Sequence, residues 1–294
     1  MKQIDHSEFK ISENIDLKKI NTKLDLNASE DSIKDALKDT RKDLGDWQDK
    51  LYAYGKYSVL ICLQGMDTAG KDSLIREVFK DFNSRGVVVH SFKIPSEKEL
   101  KHDFLWRHYI ALPERGKFGV FNRTHYENVL VTRVHPEYIL NENLPAINSL
   151  NDIDDSFWEE RFKSIRNFEE HIADNGTIIF KFFLHLSKEE QRQRLLRRLD
   201  KPSKNWKFSP GDLKERKLWD EYQEYYQQAI NRTSTKKAPW YVIPADDKDT
   251  ARYLVAKILY AELSQYKDVK EPELDPGIKQ NIDEYRKELN KEKN

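Results

Sequence analysis

Ser58-Val59-Leu60-Ile61-Cys62-Leu63-Gln64-Gly65-Met66-Asp67-Thr68-Ala69-Gly70-Lys71-Asp72-Ser73 is the stretch on which the fold turns. It opens as a short apolar run over 58–63, the signature of a strand buried on both faces of a parallel sheet. The run ends in Gly65 to Lys71, which fits G-x-x-x-x-G-K, with Asp72 where Ser or Thr is usual. Gly65, Met66, Asp67, Thr68, Ala69, Gly70, Lys71 and Asp72 then form a phosphate-binding loop. Its glycines let backbone N–H groups wrap phosphate oxygens, and the following helix points its positive end at them. Lys71 adds a mobile charge. Asp67 is the candidate Mg²⁺ ligand, because that ion prefers carboxylate and phosphate oxygens. The plainer alternatives are a tight strand-to-helix turn and a helix-capping aspartate.

Outward from this stretch, strands alternate with helices. Helices are expected over 32–54, 71–82, 97–110, 129–134, 157–173, 188–200, 211–230 and 249–263. Strands are expected over 58–63, 87–92, 119–121, 177–186 and 240–243. This alternation predicts one α/β domain, a parallel sheet of about five strands covered by helices on both faces. Ligands of such sheets bind beyond the carboxyl ends of the strands.

The 294 residues are 38% hydrophobic, enough for a real core, and 12% aromatic, which argues against disorder. Lys+Arg and Asp+Glu both number 51, so only local clustering can point to a polyanionic partner. A single cysteine, Cys62, excludes an intramolecular disulfide and a cysteine zinc site, and reads as a core residue. The N-terminus has no apolar segment of a secretory signal, and no run reaches the ~18 apolar residues of a membrane helix. The most apolar stretch, 177–186, is interrupted by Lys181. A cytoplasmic protein without a membrane or nucleic-acid partner is expected.

Two further segments carry charge in useful places. The third expected strand ends at Phe121-Asn122-Arg123-Thr124-His125-Tyr126-Glu127, with an amide, Asn122, where a Walker B acid sits in some phosphate-loop proteins. Arg123 and Arg133 are candidate phosphate ligands, since a guanidinium grips phosphate through two parallel hydrogen bonds. The alternative for each is a structural ion pair. His125 reads as packed or solvated, not catalytic. Arg192, Arg194, Arg197, Arg198, Lys201, Lys204 and Lys207 form a run broken by one acid, Asp200. Arg194, Arg197, Arg198 and Lys201 share one helical face by spacing. A solvated face is the common fate of such runs. Entering between the last two strands, this one reads as a basic flap over a phosphate site. Phe104, Trp106 and Tyr109 read as a helix face, with a nucleoside pocket as the alternative.

At these residues the chain resembles the polyphosphate kinase 2 family of polyphosphate:nucleotide phosphotransferases. The resemblance spans roughly residues 17–263. It rests on Gly65-Met66-Asp67 with Gly70-Lys71-Asp72, Ser91 to Ser96, His102 to Arg107, Phe121-Asn122-Arg123 with His125-Tyr126-Glu127, and Val131 to Pro136. Asn205-Trp206-Lys207, Ser209 to Asp212 and Ala238-Pro239-Trp240 extend it. The Asn122 form and the His125-Tyr126-Glu127 wording are similar to the third class, associated with phosphorylating both nucleoside mono- and diphosphates. The chain departs from the family pattern at Ser73-Leu74-Ile75, Asn83 to Gly86 and Asp247-Lys248-Asp249.

The resemblance implies a phosphate-loop kinase fold with a helical lid. Residues 1–30 would be an arm, 31–266 the kinase domain with its lid near 188–215, and 267–294 a charged tail. It implies reversible transfer from polyphosphate to AMP and ADP, with GMP and GDP left open, assisted by Mg²⁺ or Mn²⁺. Asp67, Lys71, Arg123, Arg133, Arg198 and Lys207 would carry the chemistry. Arg194, Arg197, Arg198, Lys201, Lys204 and Lys207 would hold polyphosphate, and Asn122, Arg123, Tyr126 and Glu127 the acceptor. A homo-oligomer, dimer or tetramer, is implied. The alternatives are an ATP-dependent nucleoside or nucleotide kinase and a non-catalytic polyanion-binding module.

Overall fold

The computed structural model describes residue 2 and residues 4–292. Its centre is a sheet of six strands: β1 (Lys10–Ile11), β2 (Ser58–Gly65), β3 (Val87–Ser91), β4 (Phe118–Asn122), β5 (Thr177–His185) and β6 (Trp240–Pro244). The spatial order is β1-β6-β5-β2-β4-β3. All pairings are parallel except the antiparallel edge pair β1–β6. The sixth strand, β1, lies in the segment expected to be an arm. That segment is packed down: Phe9, Leu17 and Leu26 are buried, and Ile15 N–H and Leu17 N–H donate to Asn231 and Gln227.

The longer helices are α1 (Glu30–Tyr54), α2 (Lys71–Val78), α3 (Asp155–Asp174), α4 (Lys188–Asp200), α5 (Pro210–Lys217), α6 (Trp219–Thr233), α7 (Lys248–Leu263) and α8 (Pro276–Lys291). Side-chain alternation along the strands divides the core into two layers. Val59, Ile61 and Leu63 of β2 pack with Phe180, Phe182, Tyr241 and Ile243 under α1 and α7. Leu60 and Cys62 face the opposite layer, where Phe183, Trp240 and Val242 meet α3 and α6. Both faces of β2 are thus covered, which is why its sequence reads as an apolar run and not an alternation.

Several expected helices are shorter or divided. The 97–110 segment forms two single turns, Glu97–Leu100 and Trp106–Tyr109. A capping box at Ser96 starts the first, and Asp103, accepting from Leu105 N–H, turns the chain before the second. The 211–230 segment breaks at Leu218 into α5 and α6. The helix after the loop ends at Val78 instead of 82. Among the described residues no helix is long and apolar enough to cross a membrane.

Candidate active site

The loop after β2 is built by three residues in left-handed or related backbone conformations: Gly65 (φ +155°), Thr68 (φ +66°) and Gly70 (φ +105°). At Gly65 a Cβ would lie 3.1 Å from both Ala69 Cβ and the Leu184 carbonyl oxygen, so glycine is required by space as well as by φ. Gly70 caps α2 without any side-chain bond to the helix, leaving its first amides open toward the loop. Lys71 Nζ folds back to donate to the Gly65 carbonyl at 2.6 Å, poised over the loop, and burial lowers its pKa, with Arg123 adding to the effect.

The loop opens into a cleft of about 490 Å³ lined by ten basic side chains and only two carboxylates, Asp67 and Asp72. Lys71, Arg123, Arg194, Arg197, Arg198, Lys204 and Lys207 are among the basic lining. Arg76, Lys248 and Arg252 also line it and were not singled out from the sequence. Lys248 and Arg252 follow β6, so inspecting the carboxyl end of that strand would have found them. Burial pushes the Lys248 ammonium down to about 8, with Arg194, Arg197, Arg252 and Lys204 crowding it further. Such crowding of like charges makes the cleft a trap for a polyanion.

The expected lid residues have different roles. Arg194 is 4% exposed and uses all five of its N–H donors. Nε donates to Glu190 at 2.8 Å, Nη1 to the Thr68 and Ala69 carbonyls at 3.0 and 2.9 Å, and Nη2 to the Ala245 and Asp246 carbonyls at 2.6 and 2.9 Å. It therefore fastens the phosphate loop to the end of β6, with no donor left for a polyphosphate. Arg197 is half exposed and paired with Glu190 at 2.6 Å. Arg198 Nη1 donates to Asp212 at 3.0 Å and to the Lys207 carbonyl at 3.1 Å, tying α4 to α5. Lys201 lies past the end of α4 in extended backbone, so it does not share the arginines' helical face and does not line the cleft.

Arg123 follows β4 with φ +59°. Its Nη2 lies 3.3 Å from Asp67 and its Nη1 3.4 Å from Glu127. The Glu127 charge beside it raises its pKa. Asn122 Nδ2 donates to Asp72 at 2.7 Å, linking β4 to the phosphate loop, while its buried Oδ1 has no partner. Arg123 also borders a second cavity of about 230 Å³, lined by Phe92, Ile94, Pro95, His108, Glu127, Val131 and Thr132 among others. Buried polar atoms without partners, His108 Nδ1 and Thr132 Oγ1, belong to residues of its wall. Phe104, Trp106 and Tyr109 do not line it; Trp106 instead stacks on His102 and Phe104 lies against Arg161.

Four further expected site residues sit elsewhere. Arg133 lines neither cavity: its guanidinium lies over Tyr225 and Trp158 and donates to Gln228 at 2.5 Å. Its short helix, Val131–Val134, packs on α6 and presents Arg133 to those rings. Tyr126 is fully buried, with its hydroxyl bonded inside the protein, so it cannot touch an acceptor. Gly65 and Met66 start the loop from the core side and do not line the cleft.

A family model described as polyphosphate kinase 2 matches residues 27–272. The chain is 45% identical over 290 residues to the ADP-polyphosphate phosphotransferase of Rhodopseudomonas palustris, covering 98% of this chain and 99% of that protein. It is 50% identical over 216 residues to the AMP/ADP-polyphosphate phosphotransferase of Meiothermus ruber, covering 74% and 75% of the two chains. Among solved structures it is similar to polyphosphate kinase 2 from Arthrobacter aurescens TC1, with a TM-score of 0.84, 34% identity and 94% of each chain covered.

Proposed function

The chain belongs to the polyphosphate kinase 2 family, a phosphotransferase using polyphosphate and nucleotides, and we propose that its basic cleft holds polyphosphate while the adjoining cavity holds the nucleoside of an AMP or ADP acceptor. The observation that carries this reading is that Arg123 lines both cavities. A phosphoryl group passing from one to the other crosses in front of its guanidinium. The donor side is a long polybasic surface, more than one short donor needs. The acceptor side is smaller and more apolar, as a purine requires.

The acceptor's phosphate oxygen is already ionised near neutral pH, so no strong general base is needed. Positioning and charge neutralisation supply the rate. The open amides of α2 and the loop bind phosphate oxygens, with Lys71 neutralising the transferring group and Arg123 bridging donor and acceptor phosphates. Arg198 and Lys207 approach from the lid. Asp67, Asp72 and the unpartnered Asn122 Oδ1 are hard oxygen donors at the loop, a set that fits Mg²⁺ when phosphate and water complete its shell. The bound ion would supply charge neutralisation to the phosphates.

Incubating the protein and Mg²⁺ with AMP, ADP, GMP or GDP, each with polyphosphate as sole phosphoryl donor and in a parallel series with ATP as sole donor, tests the reading. Conversion of both AMP and ADP is expected. Conversion with ATP but not with polyphosphate would make the protein an ordinary nucleotide kinase.

A further inference from the structure

The turn that carries Arg123 rests on a buried ionic cluster that the transfer chemistry does not use. Lys181, at the middle of β5, is 0% exposed, and Glu169 on α3 is 1% exposed. Lys181 Nζ donates to Glu169 at 2.7 Å, to the Thr233 carbonyl of α6 at 2.7 Å and to the Tyr126 hydroxyl at 2.9 Å. All three ammonium protons thus have acceptors. The other Glu169 oxygen accepts from Tyr126 at 2.8 Å and from His125 Nε2 at 3.0 Å. Burial alone would push the Glu169 carboxyl up, yet the Lys181 charge and the His125 bond hold it below the usual carboxylate range, while burial lowers the Lys181 ammonium.

These contacts converge on the residues that follow Arg123. Thr124 Oγ1 accepts from Gln64 Nε2 of β2 at 3.1 Å and from Tyr126 N–H at 3.1 Å. His125 and Tyr126 are tied to α3, and through Lys181 to β5 and α6. Arg123 itself sits in left-handed backbone that a non-glycine residue rarely adopts. Its side chain is 46% exposed and its ion pairs are long, 3.3 and 3.4 Å, so contacts of the guanidinium do not fix it. The backbone does. A well-packed apolar pair would fill the same space without desolvating two charges, so packing alone does not call for Lys181 and Glu169.

We propose that the Glu169–Lys181 pair, acting through His125 and Tyr126, is a positioning device that holds Arg123 at the boundary between donor cleft and acceptor cavity. The proposal rests on the reading of Arg123 as a phosphate ligand. Misplacement of a transition-state contact by about 1 Å can cost on the order of 100-fold in rate, so small slackening of the turn should appear in kcat.

The test uses Tyr126→Phe, which removes one hydroxyl and keeps the ring, and Glu169→Leu with Lys181→Met, which replaces the pair by apolar side chains. Melting temperature, kcat and KM are measured, together with Tyr126→Phe in an Arg123→Lys background. Expected are folded variants with kcat lowered about tenfold, KM for polyphosphate within about twofold, and almost no further loss from Tyr126→Phe once Arg123 is lysine. Unchanged kcat in folded Tyr126→Phe would overturn the proposal. So would an equal loss in both backgrounds, which is the behaviour of a merely structural network. Full activity of Arg123→Lys alone would instead remove the premise about Arg123, and the two failures are told apart by that single variant.

Discussion

At Asp67 a carboxylate lies in the mouth of the phosphate loop, 3.3 Å from Arg123 and beside the open end of α2. Asp67→Asn keeps its size but removes the charge that would hold a divalent ion. A fall in kcat of at least ~100-fold is expected, with the melting temperature little changed. Near-normal turnover of the purified variant would leave Asp67 only as an ion-pair partner of Arg123. Arg194 shows the opposite case, a cation inside the cleft whose five donors all end on carbonyls and Glu190. Its sequence position announced a phosphate ligand. Its carbonyl partners lie 51 to 126 residues away along the chain, on backbone oxygens that no motif encodes. Lys181 was legible only as an interruption in an apolar strand, because its partners Glu169, Tyr126 and Thr233 become neighbours only when α3 and α6 cover the sheet. Asp67 and Lys71, by contrast, were legible as loop residues because such a loop is a local structure: strand, glycines and helix start all lie within sixteen residues of sequence.

At the scale of elements, α4, the turn Pro202–Asn205 and α5 make up the segment expected to be a lid, and its charges divide by contact. Arg198 lines the cleft and also bridges this segment to itself through Asp212 and the Lys207 carbonyl, whereas Arg197 and Lys204 line the cleft without tying α4 to α5. A long polyanion can reach both of these together, and a short donor cannot. Replacing Arg197 and Lys204 together by Ala should therefore raise KM for long-chain polyphosphate more than for short oligophosphates. It should also flatten the dependence of affinity on salt, since fewer counterions are released. Arg198→Ala and Lys207→Ala should lower kcat with every donor. Equal effects of the Arg197 and Lys204 replacements on long and short donors, with the same salt slope, would make them a solvated face. The alternation of strands and helices made the sheet legible. The breaks at Leu218 and within 97–110 were not, because they depend on caps and turns that compete with an otherwise continuous helical pattern.

Over the whole molecule, zero formal net charge conceals a strongly polarised surface, in which ten basic side chains converge on one cleft. Lys248 is a member whose charge is removed at mildly alkaline pH, its pKa being pushed down to about 8 by burial and by neighbouring cations. A bound polyanion raises that pKa again, so binding takes up a proton where free Lys248 is already neutral. Proton uptake on binding means affinity falls as pH rises, and the fall should begin near pH 8. KM for polyphosphate measured from pH 7 to 9.5 should climb above 8 in the parent protein and climb less in Lys248→Met. Parallel profiles would assign the effect to another group. The most direct test of the whole account is the steady-state rate of Lys71→Ala with polyphosphate as sole donor and AMP or ADP as acceptor, at saturating concentrations of each. On the proposed reading Lys71 neutralises the group being transferred, which is common to both reactions, so both rates should fall by at least ~100-fold relative to the parent protein. Retention of both rates, or loss with one acceptor alone, would contradict the placement of phosphoryl transfer at this loop.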